Sequence, residues 1–126
     1  MRVLDSSIWV EFYGGGPLAG DCERYVTTER EIFTPVQVLY EVYRWAQRNG
    51  GDATAMEIVS HLEFTRFVPG DVTTAIVAVD MSAAHGLAAA DAMIYATARL
   101  QRCELVTADA DFRGLPGVTL LERSAE

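Results

Sequence analysis

The sequence predicts an α/β sandwich: a short parallel sheet covered by helices on both faces. Three observations predict it. Short apolar stretches, each only three or four residues long, recur along the chain. Between them lie segments of helical length with their own start and stop signals. No internal repeat, low-complexity run or long linker interrupts that alternation.

Arg2 to Leu4 reads as the first strand and ends at Asp5. Ser6 and Ser7 can cap a helix to about Tyr13, stopped by Gly14-Gly15-Gly16-Pro17. A second helix covers roughly Leu18 to Thr28. Glu31 to Thr34 is a strand centred on Ile32-Phe33. Pro35 suits the first turn of a helix from Val36 to Arg48, ended by Asn49-Gly50-Gly51. Asp52 can cap the next helix, Ala53 to Phe64. Arg66 to Val68 is a third strand, closed by Pro69-Gly70. Asp71 begins a helix to His85, ended by Gly86. Ala88 to Leu100 is a nearly all-apolar helix. Glu104 to Val106 and Val118 to Leu121 complete the strands. In such sheets ligands bind beyond the carboxyl ends of the strands, so strand-end residues are where chemistry is expected.

With 126 residues and 13.8 kDa, the chain is expected to form one domain over residues 1–126. Half of the residues are hydrophobic (50%) and 22% are charged, which excludes a disordered composition. Ten arginines and no lysine face 18 acidic residues, for a net charge of −8. The missing lysine excludes a Walker phosphate loop, a Schiff base and any other lysine-dependent site. Cys22 and Cys103 have no metal-type spacing and fit a reducing cytoplasm. Met1-Arg2-Val3-Leu4 meets Asp5 too early for a signal peptide, and no apolar run approaches the roughly 20 residues that span a bilayer, so no membrane partner is expected. The acidic balance argues against simple electrostatic binding to nucleic acid. It leaves room for a nucleic-acid enzyme that takes positive charge from metal ions.

Four acids stand out, each with a plain alternative. Asp5 directly follows the first strand; its alternative is a helix N-cap. Asp109 follows the strand Leu105-Val106 within Thr107-Ala108-Asp109-Ala110-Asp111-Phe112; its alternative is a polar turn capping a short helix. Asp91 sits in Ala88-Ala89-Ala90-Asp91-Ala92-Met93-Ile94-Tyr95, where a buried carboxylate is costly unless paired, hydrogen-bonded or metal-bound. Its alternative is again an N-cap, if the helix starts there. Glu41 shares a narrow polar stripe with Gln37, Arg44 and Arg48; its alternative is a solvated face with an ion pair to Arg44. Hard divalent cations take carboxylate and water oxygens. Carboxylates gathered from separate elements could hold such ions, and these reverse the sign of a cleft that would otherwise repel phosphate.

The ordered motifs resemble a known family. Val3-Leu4-Asp5-Ser6-Ser7, Glu41 inside a helix, Asp91-Ala92-Met93-Ile94-Tyr95-Ala96-Thr97-Ala98, and Leu105-Val106-Thr107-Ala108-Asp109-Ala110-Asp111-Phe112 with Leu115-Pro116-Gly117 look like a PIN domain. The size is similar to the VapC-type toxins of bacterial type II toxin–antitoxin pairs. The resemblance spans essentially the whole chain. It implies a three-layer α/β/α sandwich and a Mg²⁺- or Mn²⁺-dependent endoribonuclease. Asp5, Glu41 and Asp91 match its acidic triad and Asp109 its fourth acid. Thr107 matches a hydroxyl that steadies the site, Ser6 a small polar position, and Asp111 an often acidic position of open role. It further implies an RNA substrate, a protein antitoxin, a homodimer and a cytoplasmic location. Hydrolysis by a metal-activated water would leave 5′-phosphate and 3′-hydroxyl ends. The competing expectation is a non-catalytic module of the same fold that binds RNA or a partner protein.

The other polar and aromatic residues read more plainly. His61 and His85 are expected to be structural or solvent-facing. Trp9, Phe12, Tyr40, Tyr43 and Trp45 are expected in the core or a subunit contact. Arg44, Arg48, Arg99, Arg102 and Arg113 are the candidates for phosphate contact.

Overall fold

The structure, a computed structural model, describes residues 1–123. Five strands, β1 (Arg2–Leu4), β2 (Ile32–Pro35), β3 (Arg66–Val68), β4 (Glu104–Thr107) and β5 (Val118–Leu120), alternate with helices α1 (Ser6–Gly14), α2 (Ala19–Val26), α3 (Val36–Leu62), α4 (Val72–His85) and α5 (Ala89–Leu100). The strands form one sheet in the order β3-β2-β1-β4-β5, with every neighbouring pair parallel. All five predicted strands are present.

Burial explains why the central strands read as unbroken apolar runs. Successive strand residues face opposite sides of a sheet. Val3 and Leu4, and Leu105 and Val106, are all fully buried, so both faces are covered. The core is one cluster that also takes in Ile8 and Trp9 of α1, Val38 and Val42 of α3, and Ile94, Tyr95, Ala96 and Ala98 of α5.

Helix boundaries follow local chemistry, with one departure from expectation. The break expected at Asn49-Gly50-Gly51 is present: Gly51 takes φ 80° and ψ 178°, which is not helical, so α3 consists of two helical segments joined at a kink. Glycine enters that region at no steric cost, so the chain can end one helix and start the next with no loop between them. Pro35 ends β2 in an extended conformation as the N-cap residue, one position before the first turn. α4 starts as predicted: the Asp71 carboxylate accepts from the Thr74 amide at 2.9 Å within a capping box, and Gly86 closes the helix at φ 70°. No single described helix is long and apolar enough to cross a membrane.

Candidate active site

The strand order dictates where a site can form. The chain begins in the middle of the sheet, lays β2 and β3 on one side of β1, then returns to lay β4 and β5 on the other. Connections leave β1 and β4 in opposite directions, which opens a crevice at their carboxyl ends. Asp5 follows β1 and Asp109 follows β4, and the Asp5 amide donates to the Val106 carbonyl at 2.9 Å, locking the two strand ends together.

Asp5 occupies the N-cap position of α1, yet its side chain makes no capping bond. The carboxylate turns to two hydroxyls: Ser7 Oγ and Thr107 Oγ1 each donate to its Oδ2 at 2.8 Å. The direction of these bonds is set from behind. The Ala108 amide donates to Ser7 Oγ and the Asp109 amide donates to Thr107 Oγ1, both at 2.9 Å. With one lone pair of each hydroxyl engaged, its proton is free to serve Asp5. Ser6 and Ser7 therefore do not cap α1. Both lie in its first turn, Ser7 on Asp5 and Ser6 donating to Glu41 Oε1 at 3.2 Å.

The remaining acids reach the crevice from other elements. Asp91 is the third residue of α5, whose N-cap is Ala88, so the capping alternative for Asp91 does not hold. Asp109 does cap the short 3₁₀ turn at Ala110–Phe112, accepting from the Asp111 amide at 2.9 Å. That bond engages Oδ1 only, so the capping role and membership of the acidic group coexist. Asp91, Asp109 and Asp111 each bring a carboxylate oxygen within 4.8 Å of the others. Glu41 is partly buried, and among the described residues no ion pair joins it to Arg44.

Crowding of like charge sets the electrostatics. Burial raises the Asp5 carboxyl above its ordinary range, against the pull of the Ser7 and Thr107 hydroxyls, and the Asp109 charge adds to the rise. Burial, then the Asp5 charge, raises Glu41. Asp91 is pushed up to about 6, first by burial and then by Asp5, Asp109, Glu41 and Asp111. Among the described residues no arginine or histidine forms an ion pair with any of these five acids. The donor set is carboxylate and hydroxyl oxygen throughout, the chemistry that fits a hard divalent cation.

A cleft of about 740 Å³ adjoins this group, lined by Glu41 and Ala90 at one end and by Arg44, Trp45 and Arg48 along α3. Of the other arginines considered, Arg99 donates to the Cys103 carbonyl and Arg113 pairs with Glu122. His61 is structural, as expected: it bonds the Tyr13 hydroxyl, the Val26 carbonyl and Glu29. His85 packs edge-on against Tyr95. Trp9 is in the core, whereas Tyr40 lies outside it. Ser7 is the site residue that sequence reasoning assigned wrongly, as a cap. Its spacing two residues after a strand-end acid was the signal available.

A family model, PIN domain, matches residues 2–118. No curated protein matches the chain by sequence. Several solved structures share its fold. A toxin–antitoxin complex from Klebsiella pneumoniae aligns at 22% identity and a TM-score of 0.81, covering 94% of this chain and 96% of that one. VapC20 of Mycobacterium tuberculosis, a toxin that cleaves the sarcin–ricin loop, aligns at 18% identity and a TM-score of 0.77, covering 94% and 97%. The DNA-bound VapBC complex of Salmonella typhimurium aligns at 16% identity and a TM-score of 0.73, covering 95% and 96%. The parallel sheet, the crevice at its centre and the match over nearly the whole sequence agree: the chain belongs to the PIN domain family.

Proposed function

We propose that this chain is a metal-dependent endoribonuclease, the toxin of a type II toxin–antitoxin pair, built as one domain over residues 1–126. The observation that carries the reading is the convergence of Asp5, Glu41, Asp91 and Asp109 from four separate elements on one crevice, with no cation among the described residues paired to them. These four would hold Mg²⁺ or Mn²⁺, with Asp111 beside Asp91 and Asp109 as a further oxygen donor. The ion, when bound, supplies positive charge against the phosphate and activates water for attack.

The protein's own groups do the rest. Ser7 and Thr107 fix the Asp5 carboxylate, so its position is set before a ligand arrives. Ser6 fixes Glu41 in the same way. A carboxylate of the group accepts the proton of the attacking water. Because the attacking oxygen is that of water and not the ribose hydroxyl, the products carry 5′-phosphate and 3′-hydroxyl ends.

The kinship of fold with toxin–antitoxin complexes supports a protein antitoxin as partner and the cytoplasm as location. A homodimer fits α4, whose Val72, Ile76 and Val79 are 76%, 60% and 68% exposed on one face. Exposed apolar side chains at this spacing mark a face for another protein surface.

The test is incubation of the purified protein with total cellular RNA and Mn²⁺. Cleavage by the wild type that is lost in Asp5→Asn and Asp91→Asn supports the reading. RNA binding without cleavage in the wild type would favour a non-catalytic module of the same fold.

A further inference from the structure

The bonds that hold His61, in the second segment of α3, also fix which of its nitrogens carries a proton. Nε2 lies 3.0 Å from the Val26 carbonyl oxygen and 2.9 Å from Glu29 Oε1. A carbonyl and a carboxylate only accept, so Nε2 carries the hydrogen. In the neutral ring Nδ1 then holds a lone pair, and the Tyr13 hydroxyl donates to it. Trp9 is fully buried and packs edge-on against the imidazole, with centroids 5.2 Å apart, which sets the plane of the ring. The series Tyr13 hydroxyl, His61 imidazole, Glu29 carboxylate has the order of a nucleophile, its general base and the acid that orients that base. None of the three belongs to the acidic crevice.

Tyr13 opens on a cavity of about 530 Å³ between α1 and the two segments of α3, walled also by Trp45, Ala46, Glu57 and Ile58. Burial raises the Tyr13 hydroxyl above its ordinary value, and the Glu57 and Glu29 charges add to the rise. Free phenolate is therefore scarce near neutral pH, and the oxygen can attack only if a base takes its proton as the new bond forms. The same two charges repel an anionic electrophile such as a phosphate ester. The Trp45, Ala46 and Ile58 walls favour an apolar one. Rival nucleophiles are few: the chain has no lysine, and Cys22 and Cys103 are both buried.

We propose that Tyr13 is a second, metal-independent reactive site, a nucleophile that takes the acyl group of neutral, apolar carboxylic esters, with His61 as its general base and Glu29 as the residue that positions the base. Tyr13 Oη bonds to the carbonyl carbon while its proton passes to His61 Nδ1. The imidazolium so formed faces the Glu29 carboxylate. The ester C–O bond then breaks, and His61 gives the proton to the departing oxygen, leaving an acylated Tyr13 and a free alcohol. Nothing in this step depends on the nuclease reading.

The experiment incubates the purified full chain with p-nitrophenyl butyrate in chelator, follows release of p-nitrophenolate, and locates the butyryl group by peptide mass spectrometry. The site predicts a burst stoichiometric with protein and the acyl group on Tyr13. Tyr13→Phe removes the burst, and Tyr40→Phe, which alters an exposed tyrosine of another cleft, leaves it alone. His61→Ala slows acylation about a hundredfold, and imidazole added to the buffer restores part of the rate, which a purely structural role would not allow. Glu29→Gln keeps an acceptor for Nε2 but removes the charge, so the rate falls several-fold while the Tm is retained. An acyl group found on the Met1 amine or spread over the tyrosines overturns the proposal. So does a folded His61→Ala protein that keeps the wild-type rate or stays slow in imidazole. Where circular dichroism shows that His61→Ala does not fold, Glu29→Gln decides, and an unchanged rate in that variant overturns the proposal.

Discussion

Thr107 at the end of β4 donates its hydroxyl to Oδ2 of Asp5 at the end of β1, 2.8 Å away and 102 residues distant in sequence. Thr107 is itself fully buried and is fed by the Asp109 amide, so the two strand ends and the acidic loop are tied at one oxygen. The bond makes Thr107 a positioning residue. Thr107→Val keeps the shape and removes the donor. A hydrogen bond to a charged acceptor contributes about 1.5–3 kcal/mol, so cleavage is expected to fall roughly tenfold or more while the fold is retained. Thr107→Ser should restore most of it. Equal activity of the valine and serine variants would refute the role.

Ser7 makes the second bond to the same oxygen, and Ser6 serves Glu41. Ser7→Ala and Ser6→Ala are therefore expected to behave differently in combination with Thr107→Val. Ser7 shares Asp5 with Thr107, so their effects on cleavage should be non-additive by about 0.5 kcal/mol or more, as contacting groups are. Ser6→Ala should be closer to additive. A double-mutant cycle on initial cleavage rates checks this.

The crowded acids predict an unusual pH dependence of stability in chelator. Asp91 is raised to about 6 from an ordinary 3.8, mainly by burial. Between those values the folded protein binds more protons than the unfolded one, so stability falls as pH rises through that window. Above it the penalty is complete, on the order of 1 kcal/mol after allowance for partial exposure and screening. Thermal unfolding in chelator should thus give a lower Tm at pH 7.5 than at pH 4.5, as far as this group is concerned. Asp91→Asn should flatten that fall and raise the Tm at pH 7.5.

A divalent cation should reverse the penalty. Mn²⁺ at ten times its dissociation constant stabilises the native state by about 1.4 kcal/mol, which is a shift of a few degrees in a domain of this size. Asp5→Asn and Asp91→Asn should each reduce that shift. A shift of equal size in both variants would remove these residues from the cation site.

The exposed face of α4 gives a prediction about assembly. If the proposed homodimer uses this face, Ile76→Asp or Val79→Asp places a charge where the second copy would bury it, and sedimentation should report a dimer for the wild type and a monomer for either variant. Both side chains are largely exposed in one copy, so the fold itself should be unaffected.

Much of this was legible in the residues. The strands announced themselves because each run is short and bounded at one end or both by Pro, Gly or an acid, as at Val68-Pro69-Gly70 and Leu4-Asp5. Asp71, Thr74 and Gly86 marked α4 at both ends because capping is local chemistry. What could not be read is tertiary. Ser7 reads as a cap from its neighbours, and only the return of β4 beside β1 makes it a ligand of Asp5. The Glu41–Arg44 pair suggested by helical spacing does not form; Glu41 instead accepts from Ser6 of another element. The break at Gly50-Gly51, by contrast, was legible, because Gly51 leaves helical geometry there and a second helical segment follows.

The central claim is that distant acids cage a divalent cation at the crevice and that RNA is hydrolysed there. The most direct measurement sequences the RNA ends produced by the purified protein with Mg²⁺ or Mn²⁺, with chelator, and with Asp91→Asn. The account predicts discrete new ends bearing 5′-phosphate and 3′-hydroxyl, present only with the ion and the intact Asp91. The same ends formed in chelator, or formed by the Asp91→Asn protein, would contradict it.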